Sequence, residues 1–129
     1  MGNVLKAVQV QTDAPGRIVK VTVTGKLRKG DYELLVPQLE RLIERHGKIR
    51  LLVELVDFEG WSVGAAWEDI KFDVAHFSDI ERLAIIGDSK WEQGMALFSK
   101  PFTRAEVRYF DQSVWVEAEQ WIKEGLPEA

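Results

Sequence analysis

The sequence contains no cysteine and only two histidines among its 129 residues. Without cysteine the protein has no disulfide framework, no thiolate metal site and no cysteine nucleophile, and this composition fits a reducing compartment. The two histidines, His46 and His76, fall on different predicted helices and lack the spacing of metal ligands. We therefore predict neither a metal site nor any other cofactor.

Long apolar runs and an excess of positive charge are also missing. No stretch approaches the ~18 apolar residues of a membrane-spanning helix, and the N-terminal segment has neither a signal-type apolar run nor a cleavage site. The formal net charge of −4 argues against binding to nucleic acid, which requires a clustered basic face. We expect a cytoplasmic protein, either free or peripherally attached to a membrane.

The residues that are present fit one globular domain spanning 1–129. A hydrophobic content of 46% with 29% charged residues is ordinary for a soluble protein, and 129 residues are enough to bury a core. Five tryptophans are many for this length.

Hydrophobic periodicity predicts the order of the elements. Two alternating stretches rich in β-branched residues, Val4–Thr12 and Arg17–Gly25, predict an antiparallel hairpin. The predicted helices begin near Gly30, Trp61, Ser89 and Asp111, and the predicted strands between them are Ile49–Val56, Ile80–Gly87 and Ala105–Tyr109. This order, ββαβαβαβα, is a hairpin plus three βα units. It predicts an α/β fold with a mixed, mostly parallel sheet and helices over it.

Two of the predicted helices carry further signals. In the first, Asp31 is the expected N-cap, and Pro37 predicts a kink or a helix that begins about Val36. The apolar face predicted for the last helix consists of Val114, Trp115, Ala118, Trp121 and Ile122.

Glu54 interrupts the apolar run of the strand Ile49–Val56. We expect its carboxylate to reach a strand edge or to pair with a neighbour on the same face, such as Arg50. The alternative is an acid buried in the core.

Phe72 stands apart from the apolar stripe of the second predicted helix. At 100° per residue its side chain projects roughly 180° away from that stripe. A second layer, a partner, a lipid or a second copy of the chain would explain this position, and a singly exposed phenylalanine is also common. The stripe itself, which we expect on the sheet, is Val63, Trp67, Ile70, Val74 and Phe77.

Aromatic residues concentrate where two predicted strands run into helices. Ligands of open α/β sheets gather at the carboxyl ends of the strands, which here are 57–62 and 87–91. The sequence leaves open which of these aromatic residues are core and which line a pocket. The candidate residues for a hydrophobic ligand or a membrane surface are Phe58, Trp61, Trp67, Phe72, Trp91, Met95, Phe98 and Phe102.

No catalytic constellation is predicted. Residues 60–64 match the G-x-S-x-G pattern of α/β-hydrolases around Ser62. However, His76 lies fourteen residues further along the same predicted helix, about 21 Å away at ~1.5 Å per residue. His46 precedes the serine, contrary to the order of the hydrolase triad. We therefore expect that the protein is not an enzyme.

Several segments resemble a known family. The segments DFEGW, AHFSDIERLA and GDSKWE are similar to the SpoIIAA-like group of bacterial proteins in the STAS superfamily, and the resemblance extends from about Ile18 to Ile122. It implies a small α/β domain with a mixed sheet. The SpoIIAA-like group is also similar to the lipid-binding lobe of CRAL-TRIO proteins, which implies an apolar ligand or a membrane surface.

The resemblance implies a second function as well. In anti-sigma-factor antagonists of the superfamily, a serine in a D-S-[ST]-G-[LIV] context is phosphorylated to break a partner complex. Ser62 and Gly64 match this pattern, whereas Trp61 and Val63 depart from it. The implied alternative is a partner-switching module regulated at Ser62, with a protein partner. The sequence does not decide among an apolar ligand, a membrane surface, a protein partner and a second copy of the chain.

Overall fold

The computed structural model describes residues 8–13, 17–61, 78–87 and 106–126, together with residues 64, 68, 71, 72, 75 and 76; at residues 8, 13, 27, 58, 60 and 61 it describes the backbone. Its strands are β1 (Val8–Asp13), β2 (Ile18–Leu27), β3 (Ile49–Trp61), β4 (Ile80–Gly87) and β5 (Glu106–Asp111). Its helices are α1 (Lys29–His46) and α2 (Trp115–Lys123), and the 3₁₀ turn Gln112–Val114 leads into α2.

The five strands form one sheet in the order β1-β2-β3-β4-β5. β1 runs antiparallel to β2, and every other neighbouring pair is parallel. In the register, Val53 of β3 lies between Val21 of β2 and Ile85 of β4. The predicted hairpin and the mixed, mostly parallel sheet of an α/β domain are therefore confirmed.

The complete predicted order is not confirmed, because α1 and α2 are the helices whose bounds are described. Where the second helix was predicted, Gly64, Glu68, Lys71, Phe72 and Ala75 are helical. The third predicted helix, which begins near Ser89, lies outside the described residues.

α1 covers one face of the sheet. In β2, strict alternation turns Val19, Val21 and Val23 to this face, where aliphatic side chains suit a pleated, covered surface. Helical spacing brings the corresponding side chains of α1 onto them. The buried residues of this first core are Val19, Val21, Val23, Tyr32, Leu35, Leu39, Ile49, Leu51, Leu55, Phe72, Ile80 and Val107.

The beginning of α1 differs from the prediction. The helix runs from Lys29 through Pro37, so the predicted start near Val36 is wrong. Arg28 is the N-cap residue, and the Asp31 carboxylate accepts a hydrogen bond of 2.8 Å from the Arg28 backbone N–H. This contact and the burial of Tyr32 stabilise the turns that precede the proline.

α2 covers part of the opposite face, mainly over β3, β4 and β5. The buried residues of this second core are Ile18, Leu52, Ala84, Ile86, Ala118, Trp121 and Ile122. Trp115 does not belong to it, because 53% of its surface is exposed, so its predicted place on the apolar face is wrong. Trp115 is the first residue of α2, whereas the buried residues of the helix, Ala118, Trp121 and Ile122, come from its later turns.

The end of α2 is held by a buried arginine of β3. Arg50 is 6% exposed, and its Nη1 donates to the carbonyl oxygens of Ile122 at 2.9 Å and Glu124 at 2.5 Å. Its Nε donates to Glu81 Oε1 at 2.7 Å. The predicted pairing of Arg50 with Glu54 is therefore wrong, since the guanidinium group binds the terminal carbonyls of α2 and the carboxylate of Glu81 instead.

A second arginine supports the same helix end. Arg82 Nη1 donates to the Trp121 carbonyl oxygen at 2.7 Å, and the Arg82 guanidinium lies 4.8 Å from the centroid of the Trp121 ring. Arg108 lies 5.0 Å from the same centroid. Cations at a helix C-terminus and near an indole ring are both favourable, so β3, β4 and β5 together fix the position of α2.

Replacing Arg50 tests how much α2 depends on this anchor. Arg50→Met leaves the Glu81 carboxylate and two helix carbonyls without their donor, and we expect the free energy of unfolding to fall by about 3 kcal/mol. Arg41→Met, an exposed arginine on α1, should change it by less than about 0.5 kcal/mol. Urea denaturation measures both, and equal stability of the two variants would contradict the anchoring role.

Candidate functional site

The carboxyl end of β3 is the centre of the predicted site, and its conformation in the structure differs from the predicted one. The sequence predicted a turn after Val56, but β3 continues to Trp61. Lys26 pairs with Gly60 and Leu27 with Trp61, so β2 supplies partners for this part of the backbone. The predicted aromatic turn is therefore wrong, because the end of β2 keeps the segment in the sheet.

An irregularity interrupts the ladder before this last part of β3. Thr24 pairs with Val56 and Lys26 with Gly60, so the step of two residues in β2 matches a step of four in β3. Gly25 has a φ of 74°, and Asp57 has a φ of 49°. Asp57 is the only non-glycine residue with positive φ in the described part of the chain, and such a conformation costs of order 1 kcal/mol. Ladder irregularities of this kind are common beside functional sites.

The helical segment that follows β3 packs closely on the first turn of α1. A Cβ atom at Gly64 would lie 3.2 Å from the Lys29 Cβ, which is tighter than ordinary van der Waals contact. Glycine at position 64 thus permits a close approach of the two elements. The close approach also places the Lys29 side chain beside Gly64, which follows Ser62 by two residues in the chain.

Phe72 does not project away from the core. It is 8% exposed and belongs to the first core. Among the explanations considered for its position, contact with a second layer agrees with the structure. That layer is α1, because His76, whose ring centroid lies 4.6 Å from that of Phe72, contacts Glu40 of α1.

His76 connects three segments of the chain. Its Nε2 lies 2.9 Å from Glu40 Oε2, and its Nδ1 lies 2.9 Å from Asp79 Oδ2. Burial lowers the pKa of His76, but the hydrogen bonds and charges of Glu40 and Asp79 outweigh that effect, so the pKa is raised above its usual 6.5. The protonated imidazole donates to both carboxylates.

The remaining predicted site residues lie either where the structure describes the backbone alone or outside the described residues. Phe58 and Trp61 lie in β3, where the backbone is described. Those outside the described residues are Ser62, Trp67, Trp91, Met95, Phe98 and Phe102. Among the predicted aromatic contact residues, Phe72 is the one whose side chain the structure describes, and it lies in the core.

Sequence reasoning missed a cavity on the opposite face of the sheet. Its volume is about 180 Å³, and its lining includes Lys20, Glu54, Trp115 and Glu119. Two signals were available: the alternation of Lys20 and Thr22 with valines in β2, and the acid that interrupts β3. Neither signal shows where α2 packs on this face of the sheet, and therefore neither predicts a cavity beside it.

Within the residues that the structure describes, no group of three or more histidine, aspartate or glutamate side chains could hold a metal ion. No helix in that part of the chain is long and apolar enough to cross a membrane.

Comparisons with known proteins agree with the architecture. The family model described as SpoIIAA-like matches residues 18–123. A crystal structure of an uncharacterized protein with a SpoIIAA-like fold from Shewanella loihica PV-4 is similar to this chain, with a TM-score of 0.72 and 28% sequence identity over 90% of this chain and 92% of that one. No curated protein sequence matches the chain.

The sheet order and the family match together define the class of protein. It is a small α/β domain with the SpoIIAA-like fold, which is consistent with the STAS superfamily. The chain belongs to the SpoIIAA-like family, whose model covers most of its length. This fold suggests a non-enzymatic regulatory domain.

The raised pKa of His76 predicts a pH-dependent contribution to stability. Because the folded-state pKa exceeds the unfolded one, the stabilisation is complete below pH 6.5 and is lost as the pH rises through the folded-state pKa. His76→Gln should therefore be less stable than wild type by roughly 1 kcal/mol at pH 5.5 and should approach it at pH 8.5.

Urea denaturation across this pH range measures the difference. His46→Gln is the matched control, since it removes the other histidine from the last turn of α1. A His76→Gln difference that grows with pH would contradict the assignment.

Proposed function

We propose that the protein is a non-enzymatic binding domain that meets a hydrophobic, lipid-like ligand or a membrane surface at the carboxyl end of β3. The observation that carries this proposal is the extension of β3 through Phe58 to Trp61, which brings two aromatic residues to the edge of the sheet where ligands of α/β folds gather. The similarity of the family to a lipid-binding lobe supports the same class of ligand.

The burial of Phe72 narrows the proposed contact surface. Its side chain contributes to the core, so it no longer supports a ligand contact. The proposed contact residues are Phe58, Trp61, Trp67, Trp91, Met95, Phe98 and Phe102.

Charge favours apolar insertion over electrostatic attraction as the mode of contact. The chain has a formal net charge of −4, and anionic lipid surfaces attract clusters of lysine and arginine. Interfacial tryptophans, in contrast, place an apolar ring and a polar N–H at the boundary of the bilayer. The proposal therefore requires no anionic lipid.

Vesicle co-sedimentation tests this proposal. We expect wild type to pellet with phosphatidylcholine vesicles with a shift in tryptophan emission, and added phosphatidylserine should not strengthen binding. Trp61→Ser should lower the vesicle affinity roughly fivefold or more, because it removes an aromatic side chain from the contact.

Leu34→Ser provides the matched control, because Leu34 is an apolar side chain of α1 that is 66% exposed. It should bind vesicles as wild type does. Absence of pelleting and of any spectral shift with these vesicles and with fatty acids would contradict the proposal.

A second candidate function is a partner-switching module regulated by phosphorylation at Ser62. The observation that favours it is the position of Lys29 beside Gly64, where a Cβ would lie 3.6 Å from the lysine Cδ. A cation and a helix start are both favourable neighbours for a phosphate group. Ser62 precedes helical Gly64 by two residues in the chain.

Pull-downs from native lysate with phosphomimetic variants test this alternative. We expect Ser62→Asp to lose a partner that wild type and Ser62→Ala retain, because the added charge mimics the phosphate. Ser78→Asp, at an exposed turn residue, controls for a charge placed elsewhere. Identical partner sets for wild type and Ser62→Asp would count against the switch.

We also retain the prediction that the protein forms a homodimer. β1 is an edge strand of the five-stranded sheet, and an edge strand can pair with a strand of a second copy. The buried position of Phe72 gives no support to a dimer contact through that residue.

A further inference from the structure

The cavity beside α2 lies on the face of the sheet opposite α1. Its volume is about 180 Å³, and residues of β1, β2, β3 and β4 form its floor. It exists because α2 packs mainly over β3, β4 and β5 and leaves the neighbouring strands of this face less covered. This site is independent of the function proposed above.

Part of the lining is apolar. Leu52 and Ile86 are each 3% exposed and belong to the second core, so they form a dry floor. Trp115 lines the cavity from the start of α2 while more than half of its surface is exposed. An exposed indole beside an apolar floor is suited to an apolar group or to a cation above the ring.

Among the described residues of the lining, Lys20 is the one cation, and it is already paired. Lys20 Nζ lies 3.0 Å from Glu119 Oε1, and both side chains are about three-quarters buried. A ligand that carries a negative charge would have to compete with Glu119 for this ammonium group. The charge balance of the lining therefore disfavours an anion.

Glu54 is different, because it is half-buried and has no partner among the described residues. No other residue in the described part of the chain gives its carboxylate a hydrogen bond or an ion pair, and Arg50 on the same strand face points to α2 instead. A cationic group in the cavity would give this carboxylate a charge-assisted partner that the described residues do not supply.

We propose that this cavity binds a small organic ammonium ion with an apolar body. The ammonium group pairs with the Glu54 carboxylate, and the apolar body lies on Leu52 and Ile86 against the Trp115 ring. Three features define this class of ligand. The Glu54 carboxylate calls for a cation, the Trp115 ring calls for an apolar body, and the pairing of Lys20 with Glu119 leaves no free cation in the described lining to attract an anion.

Isothermal titration calorimetry with 2-phenylethylammonium as the probe tests this proposal. We expect saturable binding, and the neutral analogue 2-phenylethanol should bind at least about tenfold more weakly because it cannot pair with Glu54. Glu54→Gln should weaken binding of the ammonium probe to a similar extent. Glu117→Gln, an exposed acid of α2 outside the cavity, should leave the affinity within about twofold.

A variant that gains affinity separates recognition from folding. Lys20→Gln frees the Glu119 carboxylate, so the cavity then offers two unpaired acids and should bind the ammonium probe several-fold more tightly. Loss of fold cannot produce this result. The proposal is overturned if the probe does not bind, if 2-phenylethanol binds equally well, if 3-phenylpropionate binds more tightly, or if Lys20→Gln leaves the affinity unchanged.

Discussion

The architecture depends on the interaction between one buried guanidinium group and the end of α2. Arg50 occupies a position in the middle of the sheet where an aliphatic side chain would otherwise be expected. Its donors satisfy carbonyl oxygens that a helix end cannot satisfy within itself, and its charge opposes the negative end of the helix dipole. The cost of burying the charge is thereby offset, and α2 is fixed over β3 to β5.

The position of α2 gives the two faces of the sheet different properties. The face covered by α1 is a continuous apolar core that includes Phe72, and it supports the helical segment that follows β3. The opposite face has a smaller apolar core under α2 and, beside it, polar side chains around a cavity. The proposed lipid-like contact and the proposed ammonium site thus belong to different parts of the molecule.

Local patterns predicted the sheet well, because alternation and apolar runs are properties of adjacent residues. They could not predict the partner of Arg50, since Glu81 lies 31 residues further along the chain. Nor could they place Phe72, because a helical projection does not include the second surface formed by α1. Helical spacing placed Trp115 on the apolar face of α2, but spacing does not show how much of the first turn the sheet covers. The cavity arises from the position of α2, which no local pattern contains.

Hydrogen–deuterium exchange in the presence of phosphatidylcholine vesicles tests whether binding occurs at the carboxyl end of β3. Exchange reports the protection of individual backbone segments, so it distinguishes the end of β3 and the segment after it from α2. Binding at this end of the sheet should slow exchange in peptides that cover residues 58–77 and leave exchange in α2 unchanged. Protection confined to α2, with none around Trp61, would contradict it.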